Sequence, residues 1–178
     1  MKSYCLLVLF IFSSNLMSAE NNYTGSLSFN ADTNLPRVSL QGRTDKFKTL
    51  DIVLKNKHLS VDAVVDMDTI LSSVYFSNYQ VYKNNFPSRP KETPALLKMN
   101  IHEATCSTVK TGFECVGAAE FYLAKAGFAK IIKIMIDKDN NVSSTFVLSQ
   151  KELNLKPHHF AGVEIDDKVK VYLFAKHK

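Results

Sequence analysis

Ile131-Ile132-Lys133-Ile134-Met135-Ile136-Asp137 is the stretch on which the fold turns. Ile132, Ile134 and Ile136 recur at every second position, with Ile131, Lys133, Met135 and Asp137 between them. Successive side chains of a β-strand point to opposite faces, so this period of two gives a strand with one apolar side. The pattern repeats downstream, where Phe146 and Leu148 flank Val147, and Val169, Val171 and Leu173 alternate with Lys168, Lys170 and Tyr172. Strands that are wet on one side and apolar on the other must close around something.

The same reading extends upstream. Leu27 and Phe29 share a face, Val38 and Leu40 alternate with Arg37, Ser39, Gln41 and Arg43, and Leu50, Ile52 and Leu54 follow. Leu59, Val61, Ala63, Val65 and Met67 face one way, against His58, Ser60, Asp62, Val64, Asp66 and Asp68, with a hairpin-sized break at Lys55-Asn56-Lys57. Asp62, Asp66 and Asp68 read as a solvated edge. Between Ile70 and Pro94 the period changes. Tyr75, Tyr79, Tyr82 and Phe86 are spaced as one face of a helix, with Ser72 or Ser73 as its cap and Pro87, Pro90 and Pro94 ending it. Leu97, Met99 and Ile101 open the next strand, and Phe121 and Leu123 lie on a later one. Turns are expected at Ala126-Gly127 and Lys138–Asn141, with a longer loop from Lys151 to Asp167 before the last strand. About eight antiparallel strands joined mostly by short turns make a barrel or a sandwich, and the sequential turns favour an up-and-down β-barrel with a short helical insertion. An eight-stranded barrel is either filled by its own side chains or holds one small ligand, and periodicity supports both equally.

Lys2, the apolar run Cys5–Phe12 and the small polar stretch to Ala19 have the layout of a secretory signal peptide. Cleavage is expected after Ala19, leaving residues 20–178 as one exported domain. Loss of Lys2 would lower the formal charge from +5 to +4. Basic residues are scattered among acidic and apolar ones, which argues against nucleic acid as a partner. Export favours oxidation of Cys106 and Cys115. With a loop at Val109–Gly112, Thr108 faces Phe113 and Cys106 faces Cys115, so a disulfide is expected across this hairpin. Met99 and Ile101 do not share a face with Cys106, and a bulge near Glu103 would restore the register.

These residues resemble a known family. Gly-Ala-Ala-Glu-Phe-Tyr-Leu-Ala-Lys-Ala-Gly-Phe-Ala-Lys, from Gly117 to Lys130, looks like the strand and turn "G-x-L-x-x-x-G-x-x-K" of the YceI-like proteins. Phe146–Ser149, Leu153-Asn154-Leu155, Pro157, Gly162-Val163, Asp166, Val169 and Val171 resemble that family's closing hairpin. A Leu-Gln-Gly strand and a Val-Asp-Ala-Val-Val-Asp-Met-Asp strand precede them in the family's order. The resemblance implies a lipocalin-like antiparallel barrel that encloses a polyisoprenoid or related lipid in the bacterial periplasm. The family's Arg-Asp-His-like motif in the insertion is replaced here by Ser72–Tyr79, so its role is not carried over.

Candidate ligand residues follow from both readings. Tyr75, Tyr79, Tyr82 and Phe86 are candidates for a wall or lid, since tyrosine combines an apolar ring with a polar tip; the same spacing also suits ordinary packing. Val65, Met67, Met99, Phe121, Ile134 and Leu148 face inward, as cavity lining or as sealed core. His158 and His159 are adjacent and would point to opposite faces of a strand, a poor arrangement for a metal. Lys125 and Lys130 are expected to be solvated rim residues, with a phosphate headgroup as the alternative partner. No nucleophile–base pair, phosphate-cradling loop or metal cluster is visible, so neither catalysis nor a cofactor is expected. The sequence is thus read as an exported carrier of an apolar lipid (polyisoprenoid, quinone or fatty-acyl chain) that makes transient membrane contact. The alternative is an envelope interaction protein whose barrel is packed solid.

Overall fold

The alternating segments form strands whose apolar sides share one interior. The computed structural model describes residues 22–72, 96–123, 126–153, 159–160 and 163–178. The strands are β1 (Tyr23–Thr33), β2 (Ser39–Thr44), β3 (Phe47–Lys55), β4 (His58–Asp66), β5 (Leu71–Ser72), β6 (Leu96–Val109), β7 (Gly112–Leu123), β8 (Ala126–Asp137), β9 (Val142–Ser149), β10 (His159–Phe160) and β11 (Val163–His177). They pair antiparallel in the order β3-β4-β6-β7-β8-β9-β11-β1-β2-β5, with β10 on β11. This is an up-and-down sheet in which the first strand lies against the last, curled into a half-barrel. The curl carries β3 back to β1, where a methyl built on Gly25 would stand only 2.5 Å from Leu50 Cδ2. Helical structure among the described residues is one 3-10 turn, Met67–Thr69.

Leu59, Val61, Ala63 and Val65 on β4, Ile132, Ile134 and Ile136 on β8, and Val171 and Leu173 on β11 are all buried, as their period requires. The cysteine hairpin has the expected register, with Cys106 opposite Cys115 and Thr108 opposite Phe113. Its loop is tighter than four residues, because Val109 pairs with Gly112 and only Lys110 and Thr111 make the turn. Gly112 has φ +142°, and a Cβ there would run into the Ile136 carbonyl, so glycine is required. The expected bulge is present: five steps from Asn100 to Thr105 face four from Glu120 to Val116. It returns Ala104 and Cys106 to the interior that Met99 and Ile101 occupy.

The Cys106–Cys115 disulfide is formed, and both residues are buried. It closes a short loop, so removing it as the double variant Cys106→Ala/Cys115→Ala is expected to cost about 2–3 kcal/mol. The lowered denaturation midpoint would measure that loss, and unchanged strand circular dichroism would show that the ladder survives.

Two boundaries differ from the sequence reading. Ala126 and Gly127 pair with Leu123 and Tyr122, so both belong to β8 and the reversal falls before them. Gly127 serves packing, since a Cβ there would sit 2.7 Å from the Tyr122 ring. The last strand begins at Val163, not after Asp167, because Val163, Ile165, Asp167 and Val169 continue the period that the charges at 166–168 disguise. Ser72 pairs with Gly42 in a strand, and Ser73 lies outside the described residues. The helix expected through Tyr75, Tyr79, Tyr82 and Phe86, the signal peptide, Lys125 and His158 lie outside the described residues.

Candidate functional site

The interior has two unlike halves. Toward the cysteine hairpin it is filled by Leu59, Ile101, Ala104, the disulfide, Ile136, Val142 and Ala175, all almost completely buried. Toward the other end lies an apolar cavity of about 140 Å³. Strand register places its wall. Leu148, Val169, Ala31 and Leu40 are successive cross-strand partners over β9, β11, β1 and β2, and all four line the cavity. The next row, Phe146, Val171, Phe29 and Gly42, contributes Val171 and Phe29. Gly42 has a packing reason, because any Cβ there would collide with the Phe29 ring. Leu97 and Leu123, partners across β6 and β7, form part of the opposite wall.

Met67 and Ile70 join this lining from the 3-10 turn after β4. That turn is fixed by polar bonds: the Asp68 N–H donates to Asp66 Oδ1 at 3.1 Å, and Thr69 Oγ1 donates to the Asp66 carbonyl at 2.6 Å. Buried Thr44 ties β2 to it through a 2.7 Å hydroxyl contact with Thr69. Asp66 is therefore a cap that also pairs with Lys48 at 3.6 Å, not only part of a solvated edge. Gln150 is the one polar lining residue among the described residues, and its side-chain amide donates to the Asp166 carbonyl at 2.7 Å. An apolar volume of this size is large enough for a small hydrocarbon such as benzene.

Beside Gln150, the turn after β9 is pinned by Asp167. Its carboxylate accepts from Ser149 Oγ at 2.6 Å and from the Lys151 N–H at 3.0 Å. The Ser149 bond, aided by that N–H and by the charges of Lys151 and Lys168, holds the Asp167 carboxyl below its ordinary range against partial desolvation. At the hairpin of the packed end, the side-chain amide of Asn141 and the N–H groups of Asn141 and Asp139 lower Asp137 in the same way. A carboxylate whose pKa is lowered on folding stabilises the fold above its unfolded pKa, and the contribution is lost as pH falls through the folded value. Stability is therefore expected to drop below about pH 4. In Asp167→Asn the difference between urea midpoints at neutral and acid pH should shrink; an unchanged difference would remove Asp167 from the account.

Of the sequence candidates, Met67 and Leu148 line the cavity. Val65, Met99, Phe121 and Ile134 are buried in the packed core that adjoins it and are not in its lining. The tyrosine stripe falls outside the described residues. Leu27, Phe29, Ala31, Leu40, Leu97 and Ile165 line the cavity without having been singled out as ligand residues. Their signal was parity combined with nearness to one end, which needs the register. Among the described residues no three His, Cys, Asp or Glu side chains converge as metal ligands, and no helix is long and apolar enough to cross a membrane.

An up-and-down antiparallel barrel with an apolar chamber at one end places the molecule among the lipocalin-like barrels. No family profile and no curated protein matches the sequence. Solved structures do match the fold. BcnA of Burkholderia cenocepacia superposes with a TM-score of 0.67 at 12% identity, over 86% of this chain and 96% of that one. A polyisoprenoid-binding domain from Saccharophagus degradans, implicated in plant cell wall breakdown, gives 0.50 at 12% identity over 88% and 99%. A mutant CJ YCEI protein gives 0.52 at 8% identity over 77% and 84%. The fold is that of the YceI-like barrels.

Proposed function

We propose that this chain is an exported, periplasmic lipid-binding protein of the YceI type, which takes the apolar chain of a polyisoprenoid, quinone or fatty acid into the barrel and sequesters or carries it. The observation that carries the reading is the cavity, whose lining among the described residues is apolar except for Gln150. The polyisoprenoid-binding domain with the same fold supports the ligand class. Buried apolar surface would supply the binding energy, at about 25 cal/mol per Å². A volume of about 140 Å³ encloses a short segment of such a chain, so the remainder would lie along the cavity mouth or displace neighbouring side chains. The role is one of binding without catalysis.

Titration with dansyl-labelled undecanoic acid tests it. A saturable, blue-shifted emission at one probe per chain, reversed by a polyprenyl alcohol, is expected. The solid packing of the disulfide half favours a second reading, an envelope interaction protein with no ligand. Failure to take up the probe at any concentration would select that second reading.

A further inference from the structure

The wall of the barrel is not equally closed all the way round. β8 pairs with β7 through all twelve of its residues, and β9 pairs with β11 through all eight. Between β8 and β9 only three pairs form, Ile134–Ser144, Met135–Ser143 and Ile136–Val142, all toward the packed end. The same register continued would set Ile132 against Phe146 and Ile131 against Val147, yet no ladder forms there.

Backbone groups exposed by such a gap need other partners. Side chains supply several of them. Ser144 Oγ donates to the Lys133 carbonyl at 2.6 Å, Lys130 Nζ donates to the Val147 carbonyl at 2.7 Å, and the Ser149 N–H donates to Glu152 Oε2 at 2.9 Å. Lys130 and Glu152 also form an ion pair at 3.5 Å. Inside the seam stand Phe128 and Phe146, both in ring contact with Phe121 at 5.3 and 5.1 Å, and next to Phe146 on the same face is the cavity residue Leu148. Outside it, Ile131 is 68% exposed and Val147 40%. Apolar side chains thus flank the seam inside and out, and polar side chains rather than a backbone ladder cross it. Side chains change rotamer within nanoseconds, whereas a backbone ladder opens only by local unfolding.

We propose that the β8–β9 seam is a lateral portal for the apolar chain of the ligand, with Lys130, held by the Val147 carbonyl and Glu152, as its latch. The inference rests on the lipid-binding reading and assigns the route to that site. Lys130 is a positioning residue, and its effect belongs in rates rather than affinity.

Stopped-flow exchange of dansyl-labelled undecanoic acid provides the test. In Lys130→Met, uptake and release are both expected to quicken about fivefold or more, with the dissociation constant changed less than about twofold. Lys130→Arg should restore the slower rates. In the opposite sense, Ile131→Cys/Val147→Cys bridged by a bis-maleimide should exchange at least about tenfold more slowly than the same variant capped by a monofunctional maleimide. Rates unchanged by both the Met variant and the bridge would overturn the portal while leaving lipid binding intact. A wild-type chain that takes up no probe would overturn lipid binding itself, and the portal with it.

Discussion

Alanine in place of Phe121 is expected to lower the free energy of unfolding by about 3–5 kcal/mol. Phe121 is fully buried on β7, pairs with Met99 and Phe128, and touches the rings of Phe128 on β8 and Phe146 on β9. It spans the inner side of the β8–β9 seam, where only three pairs form between two long strands. Truncation removes the transfer free energy of the ring and leaves a void. The twelve β7–β8 pairs hold the surrounding backbone in place, so that void closes only in part. Phe121→Leu, which keeps more of the volume, should lose less. Guanidinium denaturation with an unchanged m-value measures both, and a loss below about 1 kcal/mol for the alanine variant would show that the rings are not packed as described.

Phenylalanine at Ala31 is expected to weaken binding of an apolar probe at least about tenfold while the barrel stays folded. Ala31 is 1% exposed, and it lies mid-way along the Leu148–Val169–Ala31–Leu40 row that walls the cavity. A larger side chain at this site grows into empty apolar space, so its overpacking cost should lie toward the low end of about 1–3 kcal/mol. The variant thus separates the chamber from the fold. Titration of the probe, with circular dichroism as the check on folding, gives the result. Unchanged affinity in a folded variant would place the ligand elsewhere.

What the sequence could carry is set by what a period of two encodes. It distinguishes inside from outside, and so it places Ile132, Ile134 and Ile136, or Leu59 through Val65, on the buried face without any structure. It also fixed the cysteine hairpin, because a turn and two parities determine which residues face each other. Parity says nothing about height along the barrel. Ile134 and Leu148 look alike in sequence, yet one is packed core and the other lines the chamber. Only the register over β9, β11, β1 and β2 gathers Leu148, Val169, Ala31 and Leu40 at one level.

The packing role of Gly42 and the partner of Lys130 escaped for related reasons. The glycine answers a ring on the neighbouring strand, and the lysine answers a carbonyl seventeen residues away. Neither partner is visible in the local sequence. Charge misled at Asp166-Asp167-Lys168, where a polar triplet within a strand looked like the end of a loop.

If the chamber holds an apolar chain, protein purified from bacteria without detergent should carry that chain into native mass spectrometry. The expected spectrum shows a mass excess that is removed by organic extraction, is identified in the extract as an apolar lipid, and is absent from Ala31→Phe. The unliganded mass alone, from protein that also takes up no apolar probe, would contradict it.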